Sequence, residues 1–472
     1  MMLLSQIAQV LNGRTGNAEQ PSPGSRSEAD VRFSGVSTDT RSIQPGDLFI
    51  ALKGEHFDGA KFVVDALKAG AVAAVVNRGA GCGMQDTGAP ILYVEDARLA
   101  LGQLAAYWRK QFAIPLVAIT GSNGKTTVKE MLAAILHTAT GSPGDVLATH
   151  GNFNNDIGMP LTLLKLRASH RYAVIEMGMN HPGEIEYLSR IAHPNVALIN
   201  NASGAHLAGL GSVEGVARAK GEIFAGLDTR GTAVINADDA HDMLWRTLAG
   251  SHRVLDFALG HPAGVKGKWQ AQDFGGVLTA LTPAGELRVV LQVPGEHNAR
   301  NALAAATAAL ALDIPLNIIV QGLAGFSGVA GRMQRKPAKG DAILIDDTYN
   351  ANPASVHAAL EVLAQMPGKR ILVLGDMGEL GDDAAQFHRE IGIAARELGI
   401  ERLLALGELS THAVQAFGQG ALHCADIETL QHQLITELDA QTMVLVKGSR
   451  FMRMERVVQA CTISREETCC SH

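Results

Sequence analysis

Short apolar runs of strand length recur along the chain, and each is followed by a turn signal and then by apolar residues at helical spacing. In the middle of the chain these runs are Leu116–Thr120, Ala173–Glu176, Val196–Asn200 and Ala233–Asn236. Later runs are Ala342–Ile345, Arg370–Gly375, Leu403–Leu406 and Met443–Val446. Strands that alternate with helices pair in parallel and are buried on both faces, so the pattern predicts two α/β domains.

A third, smaller α/β domain is expected upstream, where the strand candidates Asp47–Leu52 and Val72–Val76 are shorter and crossovers are fewer. Gly, Ser, Lys and Arg crowd together at 325–340, between a helical run and the next strand, and mark a join. Residues 250–295 alternate apolar and polar positions, which indicates an antiparallel insertion or a sheet edge. We therefore predict domains at 1–98, 99–330 and 331–472.

Length and composition agree with a large folded core. At about 150 residues per domain, 472 residues suggest three domains, and 47% of them are hydrophobic. The net charge is −7, so no global basic field exists to gather nucleic acid or anionic lipid, and an anionic substrate needs local groups. We expect no nucleic-acid partner.

Compartment signals point to the cytoplasm. Met1–Val10 reads as a short amphipathic helix rather than a signal peptide, and no run reaches about 18 uninterrupted apolar residues, so we expect no membrane insertion. The five cysteines are scattered without a C-x-x-C pair, which argues for a reducing compartment and against disulfides or a zinc site. They are Cys82, Cys424, Cys461, Cys469 and Cys470.

The strongest chemical signal is the stretch Ile-Thr-Gly-Ser-Asn-Gly-Lys-Thr-Thr at 119–127, between an apolar strand and an amphipathic helix. Gly121 and Gly124 allow backbone N–H groups to face a phosphate, Lys125 supplies a cation, and Thr126 offers a hydroxyl to Mg²⁺. The spacing departs from the usual phosphate loop, because Ile119 stands where the first glycine belongs.

Two groups of acids follow strands. Glu176 ends a strand at the edge where α/β sheets bind ligands, so it is a candidate metal ligand, and the alternative is a solvated carboxylate. Asp346 and Asp347 also end a strand, and they could bind a ribose or cap the next helix.

His206 lies in a glycine-rich loop and could be a metal ligand. Lys220 lies on a helix among small residues, where a solvated lysine is the simplest interpretation.

Several separated motifs, in this order, resemble the ATP-dependent Mur ligases of peptidoglycan synthesis, which share their core with folylpolyglutamate synthases. Residues 120–127 resemble the family's variant phosphate loop, and 295–303 resemble its G-x-H-N-x-x-N motif near the adenine. Arg332 matches the arginine that opens the C-terminal domain and reaches the nucleotide phosphates, while Asp347 matches the ribose-binding acid. The resemblance implies a central phosphate-loop-type parallel sheet and a Rossmann-like C-terminal domain.

Within the family, the chain resembles the branch that adds a D-alanyl-D-alanine dipeptide. The motifs are at 37–41, 46–54, 150–158, 347–353 and 375–381, and the D-N-P-R motif of the diaminopimelate- and lysine-adding ligases is absent. By this resemblance the first domain holds the uridine nucleotide of UDP-N-acetylmuramoyl-tripeptide (UDP-MurNAc-tripeptide), the middle domain holds ATP, and the third holds D-Ala-D-Ala. The third residue of the tripeptide stays open between diaminopimelate and lysine.

The resemblance also assigns residue roles. The implied ATP-binding residues are Gly121, Ser122, Asn123, Gly124, Lys125, Thr126, Thr127, Asn298, Asn301, Arg332 and Asp347. The implied metal ligands are Thr126, Glu176, His206 and Lys220, with Lys220 carbamylated by CO₂ and His206 on a second Mg²⁺. Lys125, Lys220 and His206 are the implied catalytic residues.

Substrate contacts are expected in the same motifs. The candidates are Ser37, Thr38, Asp39, Thr40, Arg41, Lys53, Gly54, Asn152, Asn155, Tyr349, Asn350, Asn352, Lys447 and Arg450. Lys447 or Arg450 could hold the dipeptide carboxylate, and Asn350 or Asn352 could hydrogen-bond it; alternatively, 447–450 only caps a strand-to-helix turn.

The implied reaction uses ATP to convert the tripeptide carboxylate into an acyl phosphate, which the amine of D-Ala-D-Ala attacks. The expected cofactors are ATP, two Mg²⁺ ions and the Lys220 carbamate, and we expect a monomer. Two alternatives remain: another amide ligase of the superfamily, such as a folylpolyglutamate synthase, and a non-catalytic nucleotide-binding module.

Overall fold

The computed structural model describes residues 2–15, 31–54, 57–80, 88–204 and 207–463. It contains three α/β modules in chain order, each built on its own sheet. The predicted fold class is therefore confirmed.

The first module has, within its described residues, a five-stranded sheet with the strand order β2-β7-β6-β5-β4, and a two-stranded ribbon of β1 and β3. Its elements are β1 (Met2–Leu3), α1 (Leu4–Val10), β2 (Arg14–Thr15), β3 (Arg32–Phe33), β4 (Gly35–Ser37), β5 (Asp47–Ile50), α2 (Val63–Lys68), β6 (Ala73–Asn77) and β7 (Ile91–Val94). The helix predicted at the N-terminus is shorter than expected, because Met2 and Leu3 pair with β3 instead.

Helix α3 (Ala97–Arg109) leads into the central module and contains the predicted boundary at 98/99. The central module has nine described strands in one sheet, in the order β16-β15-β14-β13-β12-β11-β8-β10-β9. Its strands are β8 (Leu116–Thr120), β9 (Val146–Ala148), β10 (Tyr172–Glu176), β11 (Val196–Ile199), β12 (Thr232–Asn236), β13 (Arg253–Ala258), β14 (Val265–Gln272), β15 (Gly275–Thr282) and β16 (Gly285–Leu291). Its helices are α4 (Lys125–Thr140), α5 (Gly158–Leu163), α6 (Glu184–Ala192), α7 (Leu207–Leu210), α8 (Val213–Gly221), α9 (Asp242–Ala249), α10 (Glu296–Ala311) and α11 (Leu316–Ala324).

The segment at 250–295 forms the edge that its alternation predicts. Strand β13 still pairs in parallel with β12, whereas β14, β15 and β16 form an antiparallel meander. Strand β16 alternates buried and exposed residues, because one face packs on the core and the other meets solvent.

The third module, over residues 331–463, has a six-stranded sheet in the order β17-β18-β22-β19-β20-β21. Its elements are β17 (Gln334–Pro337), β18 (Ile343–Asp347), α12 (Pro353–Ala364), β19 (Lys369–Gly375), α13 (Ala384–Glu397), β20 (Arg402–Leu406), α14 (Ser410–Phe417), β21 (Ala421–Cys424), α15 (Ile427–Thr436), β22 (Thr442–Lys447) and α16 (Glu455–Cys461). Strand β17 is antiparallel and the other five are parallel.

Strand periodicity explains how the central sheet is buried on both faces. Leu116 and Ala118 of β8 point into one apolar cluster, and Val117 and Ile119 point into the other. The first cluster also takes in Leu48 and other buried side chains of the first module, so the two modules share one core.

Two remaining expectations concern helices and cysteines. No helix within the described ranges is long and apolar enough to cross a bilayer. Cys424 and Cys461 are buried and unbridged, while Cys82, Cys469 and Cys470 lie outside the described residues.

Candidate active site

The glycine loop at 121–124 joins the buried strand β8 to helix α4, as the motif predicts. Gly124 has a φ of +79°, a backbone conformation that L side chains rarely adopt. A Cβ atom at Gly124 would lie 2.3 Å from Asn301 Oδ1 and 2.6 Å from Asn200 Nδ2. Glycine is therefore required here for space as well as for conformation.

Two asparagines that follow β11 hold this loop from the side. Asn200 Nδ2 donates to the Asn123 carbonyl at 2.9 Å, and Asn201 Oδ1 accepts from the Asn123 N–H at 2.8 Å. Ser122 is anchored to the same segment, since its N–H donates to the Asn201 carbonyl at 3.0 Å. Because β11 is the neighbour of β8 in the sheet, its carboxyl end reaches the loop directly.

Helix α10 supplies the two asparagines predicted from the G-x-H-N-x-x-N motif. Asn301 Oδ1 accepts from Asn200 Nδ2 at 2.9 Å, and Asn301 Nδ2 donates to Asn298 Oδ1 at 3.3 Å. Asn298 in turn donates to the Pro294 carbonyl at 2.8 Å. All three asparagines are buried, and the chain of amides ties α10 to the phosphate loop.

Glu176 lies at the end of β10, on the other side of β8, and its side chain meets the phosphate-loop threonine. Thr126 Oγ1 donates to Glu176 Oε2 at 2.8 Å, and Asn154 Nδ2 donates to Glu176 Oε1 at 2.7 Å. Glu176 is only 2% exposed, so the alternative of a solvated carboxylate is wrong. A hydroxyl and a buried carboxylate at this edge are oxygen donors of the kind that Mg²⁺ uses together with substrate phosphates.

Lys125 is folded back onto the glycine loop. Its Nζ donates to the Gly121 carbonyl at 2.7 Å. Burial lowers the pKa of Lys125, while the carboxylate of Glu176 opposes this shift and the Arg332 guanidinium adds to it. The ammonium group is thus held at the phosphate-binding loop among other charges.

Lys220, at the end of α8, is buried rather than solvated. It is only 2% exposed, and within the described residues its Nζ has no hydrogen-bond or ion-pair partner. Burial, together with the neighbouring charge of Lys125, lowers the pKa of Lys220 well below its ordinary value. The simple interpretation of a solvated lysine is therefore wrong, and the side chain is an amine biased toward its neutral form.

Arg332 reaches from the third module into the central one. Its Nη2 donates to Thr126 Oγ1 at 2.9 Å, and its guanidinium lies 4.1 Å from the centroid of the Tyr349 ring. Its buried Nε finds no acceptor among the described residues. The arginine thus brings positive charge to the hydroxyl that also touches Glu176.

The two acids at the end of β18 have separate partners, and neither caps the next helix. Asp347 accepts from Lys447 Nζ at 2.5 Å and from the Met333 N–H at 3.1 Å. Asp346 accepts from Thr348 Oγ1 at 2.6 Å and from Lys336 Nζ at 2.7 Å. The cap of α12 is Asn352, so the capping alternative for these aspartates is wrong.

The side chain of Asn352 also connects the third module to the central one. While its Oδ1 accepts from the Ser355 N–H at 2.9 Å, its Nδ2 donates to Asn123 Oδ1 of the phosphate loop at 2.8 Å. Asn350 contributes its carbonyl, which accepts from Lys447 Nζ at 2.9 Å. Lys447 is buried between these groups, whereas Arg450 is exposed and paired with Glu455 at 3.0 Å.

The candidate residues at 37–41 of the first module form a turn that runs from buried Ser37 to exposed Arg41. Arg41 binds the Asp39 carboxylate at 2.7 Å, and these hydrogen bonds lower the pKa of Asp39 to about 2. Ser37 Oγ donates to the Asp39 carbonyl at 2.9 Å, and Thr40 and Arg41 lie in the short 3₁₀ turn after it. Thr38 precedes Asp39, and exposed Lys53 and Gly54 follow β5.

Asn152 and Asn155 lie in the loop before α5. Asn155 Oδ1 accepts from the Gly158 N–H at 2.8 Å at the start of α5, and Asn152 is exposed. The last candidate, His206, lies outside the described residues.

Sequence reasoning missed the asparagines that hold the phosphate loop and Glu176 in place. Asn200 and Asn201 clamp the phosphate loop, and Asn154 orients Glu176. The available signal was polar residues directly after β11, a strand that pairs with the strand of the glycine loop. Amides that follow such a strand are placed beside that loop by the sheet itself.

Comparison of the chain with known families matches all three modules. Residues 119–309 match the Mur ligase middle domain, residues 331–450 match the Mur ligase glutamate ligase domain, and residues 32–109 match the Mur ligase family catalytic domain. A ligase of Escherichia coli named "UDP-N-acetylmuramoyl-tripeptide--D-alanyl-D-alanine ligase" is 43% identical over 464 residues, which are 97% of each chain. A Haemophilus influenzae ligase of the same name is 40% identical over 96% of each chain.

Solved structures that superpose on this chain agree with the sequence comparisons. MurF from Acinetobacter baumannii superposes with a TM-score of 0.87 at 38% identity, covering 96% of this chain and 97% of that one. MurF from Thermotoga maritima, in complex with ADP, has a TM-score of 0.79 at 27% identity, covering 91% and 97%. With identity and coverage this high across all three modules, the chain belongs to the Mur ligase family.

Proposed function

We infer that this chain is an ATP-dependent ligase that joins D-alanyl-D-alanine to UDP-MurNAc-tripeptide in the synthesis of the peptidoglycan precursor. The observation that carries this conclusion is the 43% identity to a ligase of that name over 97% of both chains. The site agrees with it, because a phosphate loop, a buried carboxylate and an arginine from the third module meet at Thr126.

The need for ATP follows from the substrate. A carboxylate is a poor electrophile with a poor leaving group, so phosphoryl transfer first converts it into an acyl phosphate. Lys125 and Arg332 lie where they can stabilise the charge that develops on the transferred phosphoryl group. Attack by the amine of the dipeptide then forms the peptide bond and releases phosphate.

We propose Thr126 and Glu176 as protein ligands for Mg²⁺, since both side-chain oxygens lie at the phosphate loop. When bound, the ion would neutralise phosphate charge during transfer. The buried Arg332 Nε, which lacks an acceptor among the described residues, is suited to a phosphate oxygen. The second metal and its ligand His206 remain a proposal from the family resemblance.

A carbamate on Lys220 is supported by two features of that residue. Carbamate formation needs a neutral amine, and the pKa of Lys220 is lowered well below its ordinary value by burial. A carbamate would also replace this buried amine by an anionic oxygen ligand, which suits a position beside Lys125. Lys220→Ala should be nearly inactive, and acetate at high concentration should restore part of the activity. Full activity of the variant would contradict the carbamate.

Substrates are assigned to modules by the same reasoning. We propose that the turn at 37–41, with Lys53 and Gly54, contacts the uridine nucleotide and that the loop carrying Asn152 and Asn155 contacts the peptide. In the third module, Arg450 is the better candidate for the dipeptide carboxylate, because Lys447 is already bound to Asp347. We place the reaction in the cytoplasm, because ATP and the UDP-linked precursor are both available in that compartment. We also propose that the enzyme is a monomer.

The rival function, a folylpolyglutamate synthase, is less well supported. Such an enzyme of Mycobacterium tuberculosis has a TM-score of 0.62 at 18% identity, which shows a shared fold and nothing more. The deciding experiment measures ADP release with UDP-MurNAc-peptides or folates as acceptors and with dipeptides or glutamate as amines. Turnover that requires both the tripeptide and D-Ala-D-Ala supports the proposal. ATP hydrolysis independent of both would favour a nucleotide-binding module.

A further inference from the structure

The loop Asp376–Leu380 follows β19 at the carboxyl edge of the third sheet, where parallel sheets place ligands. Its backbone is held on both sides. Met377 N–H donates to His388 Nε2 at 3.0 Å, and Gly378 N–H donates to Ser449 Oγ at 2.8 Å. Leu380 is 4% exposed, so the loop is anchored again directly after Glu379.

Glu379 is the exposed residue in this anchored loop, and its backbone is strained. Its φ is +63°, which is uncommon for a residue with a side chain. Strain of this kind persists where the surrounding structure enforces it, and it concentrates at functional sites. The anchors on both sides explain why the strained conformation is kept.

A short series of contacts places this loop beside the phosphate loop. Ser449 Oγ, which receives the Gly378 N–H, donates to the Ala351 carbonyl at 3.1 Å. The next residue, Asn352, donates to Asn123 of the phosphate loop at 2.8 Å. The loop that carries Glu379 is therefore connected to the nucleotide site through two intervening segments.

Electrostatics agree with this placement. Burial lowers the pKa of Lys125, and the carboxylates of Glu176 and Glu379 act in the opposite direction. Glu379 is thus close enough to the phosphate loop to influence its lysine, although it belongs to a different module.

We propose that Glu379 is a catalytic residue that accepts the proton from the amine of D-alanyl-D-alanine as this amine attacks the acyl phosphate. The proposal rests on the function inferred above and names the base for its second step. It also explains why a glutamate with a strained backbone is kept at the carboxyl edge of the third sheet.

A dipeptide α-amino group has a pKa of about 8, so at neutral pH a minority of it is the neutral nucleophile. Its attack forms the C–N bond and leaves a positively charged nitrogen that carries two protons, one of which passes to the Glu379 carboxylate. Collapse of the tetrahedral intermediate breaks the C–O bond to phosphate. The proton leaves with phosphate as HPO₄²⁻, and Glu379 returns to its carboxylate form.

The test compares the wild type with Glu379→Gln, using two nucleophiles. With D-Ala-D-Ala, kcat of the variant should fall about 100-fold or more, because general-base catalysis contributes about 10²–10⁴-fold, while KM for ATP stays unchanged. With hydroxylamine, which is largely unprotonated at neutral pH and needs no base, hydroxamate formation should stay within about 2-fold of the wild type. The acidic limb of the kcat–pH profile should also be lost in the variant.

Controls separate chemistry from folding. Asp382→Asn, an exposed acid three positions away, should retain wild-type kcat. Glu379→Gly, which accepts positive φ, should melt no lower than the wild type and yet lack peptide formation. Equal losses with both nucleophiles, or near-normal kcat in Glu379→Gln, would overturn the proposal. A wild type that makes no UDP-MurNAc-pentapeptide would instead overturn the proposed function.

Discussion

At the scale of single residues, the site is defined by buried polar side chains whose burial the sequence does not reveal. Glu176 and Lys220 are each 2% exposed. Lys129 is 1% exposed and donates to the Thr149 carbonyl, while Thr149 Oγ1 accepts from the Glu176 N–H at 2.9 Å. Glu176, the proposed metal ligand, is thus supported through its backbone as well as through its side chain.

Removing either charge of the phosphate site should abolish most turnover. Lys125→Ala and Glu176→Ala should each lower kcat by about 10²–10³, the usual effect of removing one group that stabilises transition-state charge. ADP release at saturating ATP and Mg²⁺ measures this loss, and circular dichroism checks that the fold persists. Lys165→Ala, at an exposed position, is the matched control and should keep its activity. Near-normal kcat in either site variant would remove that residue from the mechanism.

His297 makes stability depend on pH. Burial lowers the pKa of His297 to about 4, with Asp347 acting to raise it and Lys447 and Arg300 to lower it. Between the unfolded value of 6.5 and about 4, the unfolded chain therefore binds one proton more than the folded chain. This part of the stability is complete above the unfolded pKa and is lost as the pH falls through that window, by at most about 3 kcal/mol.

Urea unfolding at pH 7 and at pH 4.5 (about the folded pKa) measures this dependence. His297→Gln should lose less free energy of unfolding between the two pH values than the wild type does. His432→Gln, at an exposed position, should behave as the wild type. An identical loss in His297→Gln and the wild type would assign the acid sensitivity to other groups.

At the scale of elements, the candidate functional groups lie where neighbouring strands end. The phosphate loop follows β8, Glu176 ends β10, and Asn200 follows β11, and these three strands are neighbours in the sheet. Parallel strands bring their carboxyl ends to one edge, so residues far apart in sequence meet there.

Two glycines at opposite ends of α4 allow the cost of backbone strain to be measured separately from the cost of a steric clash. Gly124 and Gly141 have nearly the same φ, +79° and +78°, but a Cβ at Gly141 would have nothing within 4 Å. Each change to Ala should cost about 1–2 kcal/mol through left-handed strain. Gly124→Ala should cost about 1–3 kcal/mol more, because its Cβ would collide with Asn301 and Asn200.

Thermal unfolding and KM for ATP test the pair. Gly124→Ala should lower the melting temperature further than Gly141→Ala and should raise KM for ATP, whereas Gly141→Ala should leave KM unchanged. Equal effects of the two changes would mean that the asparagines yield without cost.

At the scale of the whole molecule, contacts between modules complete the candidate active site. Arg332 and Asn352 of the third module bind Thr126 and Asn123 of the central one. The first module is joined differently, through a continuous apolar core that it shares with the central sheet. The third module is thus linked to the nucleotide site by polar contacts that can be tested one at a time.

Asn352 allows such a test, since its Oδ1 caps α12 while its Nδ2 contacts the phosphate loop. Asn352→Ser should keep the helix cap, because serine also accepts from the third helical N–H, but should lose the bond to Asn123. We expect unchanged stability and a kcat about 10-fold lower, equivalent to about 1.4 kcal/mol. Asn352→Ala should lose the cap as well, at about 1 kcal/mol of stability. Wild-type kcat in Asn352→Ser would show that the contact between the modules is dispensable.

Local sequence patterns were sufficient to predict the three α/β modules, the phosphate loop and the family. These follow from local patterns, since strand-length apolar runs and a glycine loop before a helix are read within a few residues. The predicted strand Leu116–Thr120 is observed with those bounds, and the edge meander at 250–295 is confirmed.

Which polar groups are buried, and what they bind, became visible only in the folded molecule. From local pattern alone, Lys447 and Arg450 were equal candidates for the dipeptide carboxylate, yet Lys447 is buried against Asp347 and Arg450 is exposed. The same holds for Lys220, for the asparagines around the phosphate loop, and for the strained Glu379. Burial, pKa and partner choice depend on charges brought together from distant parts of the chain, and no local pattern records those distances.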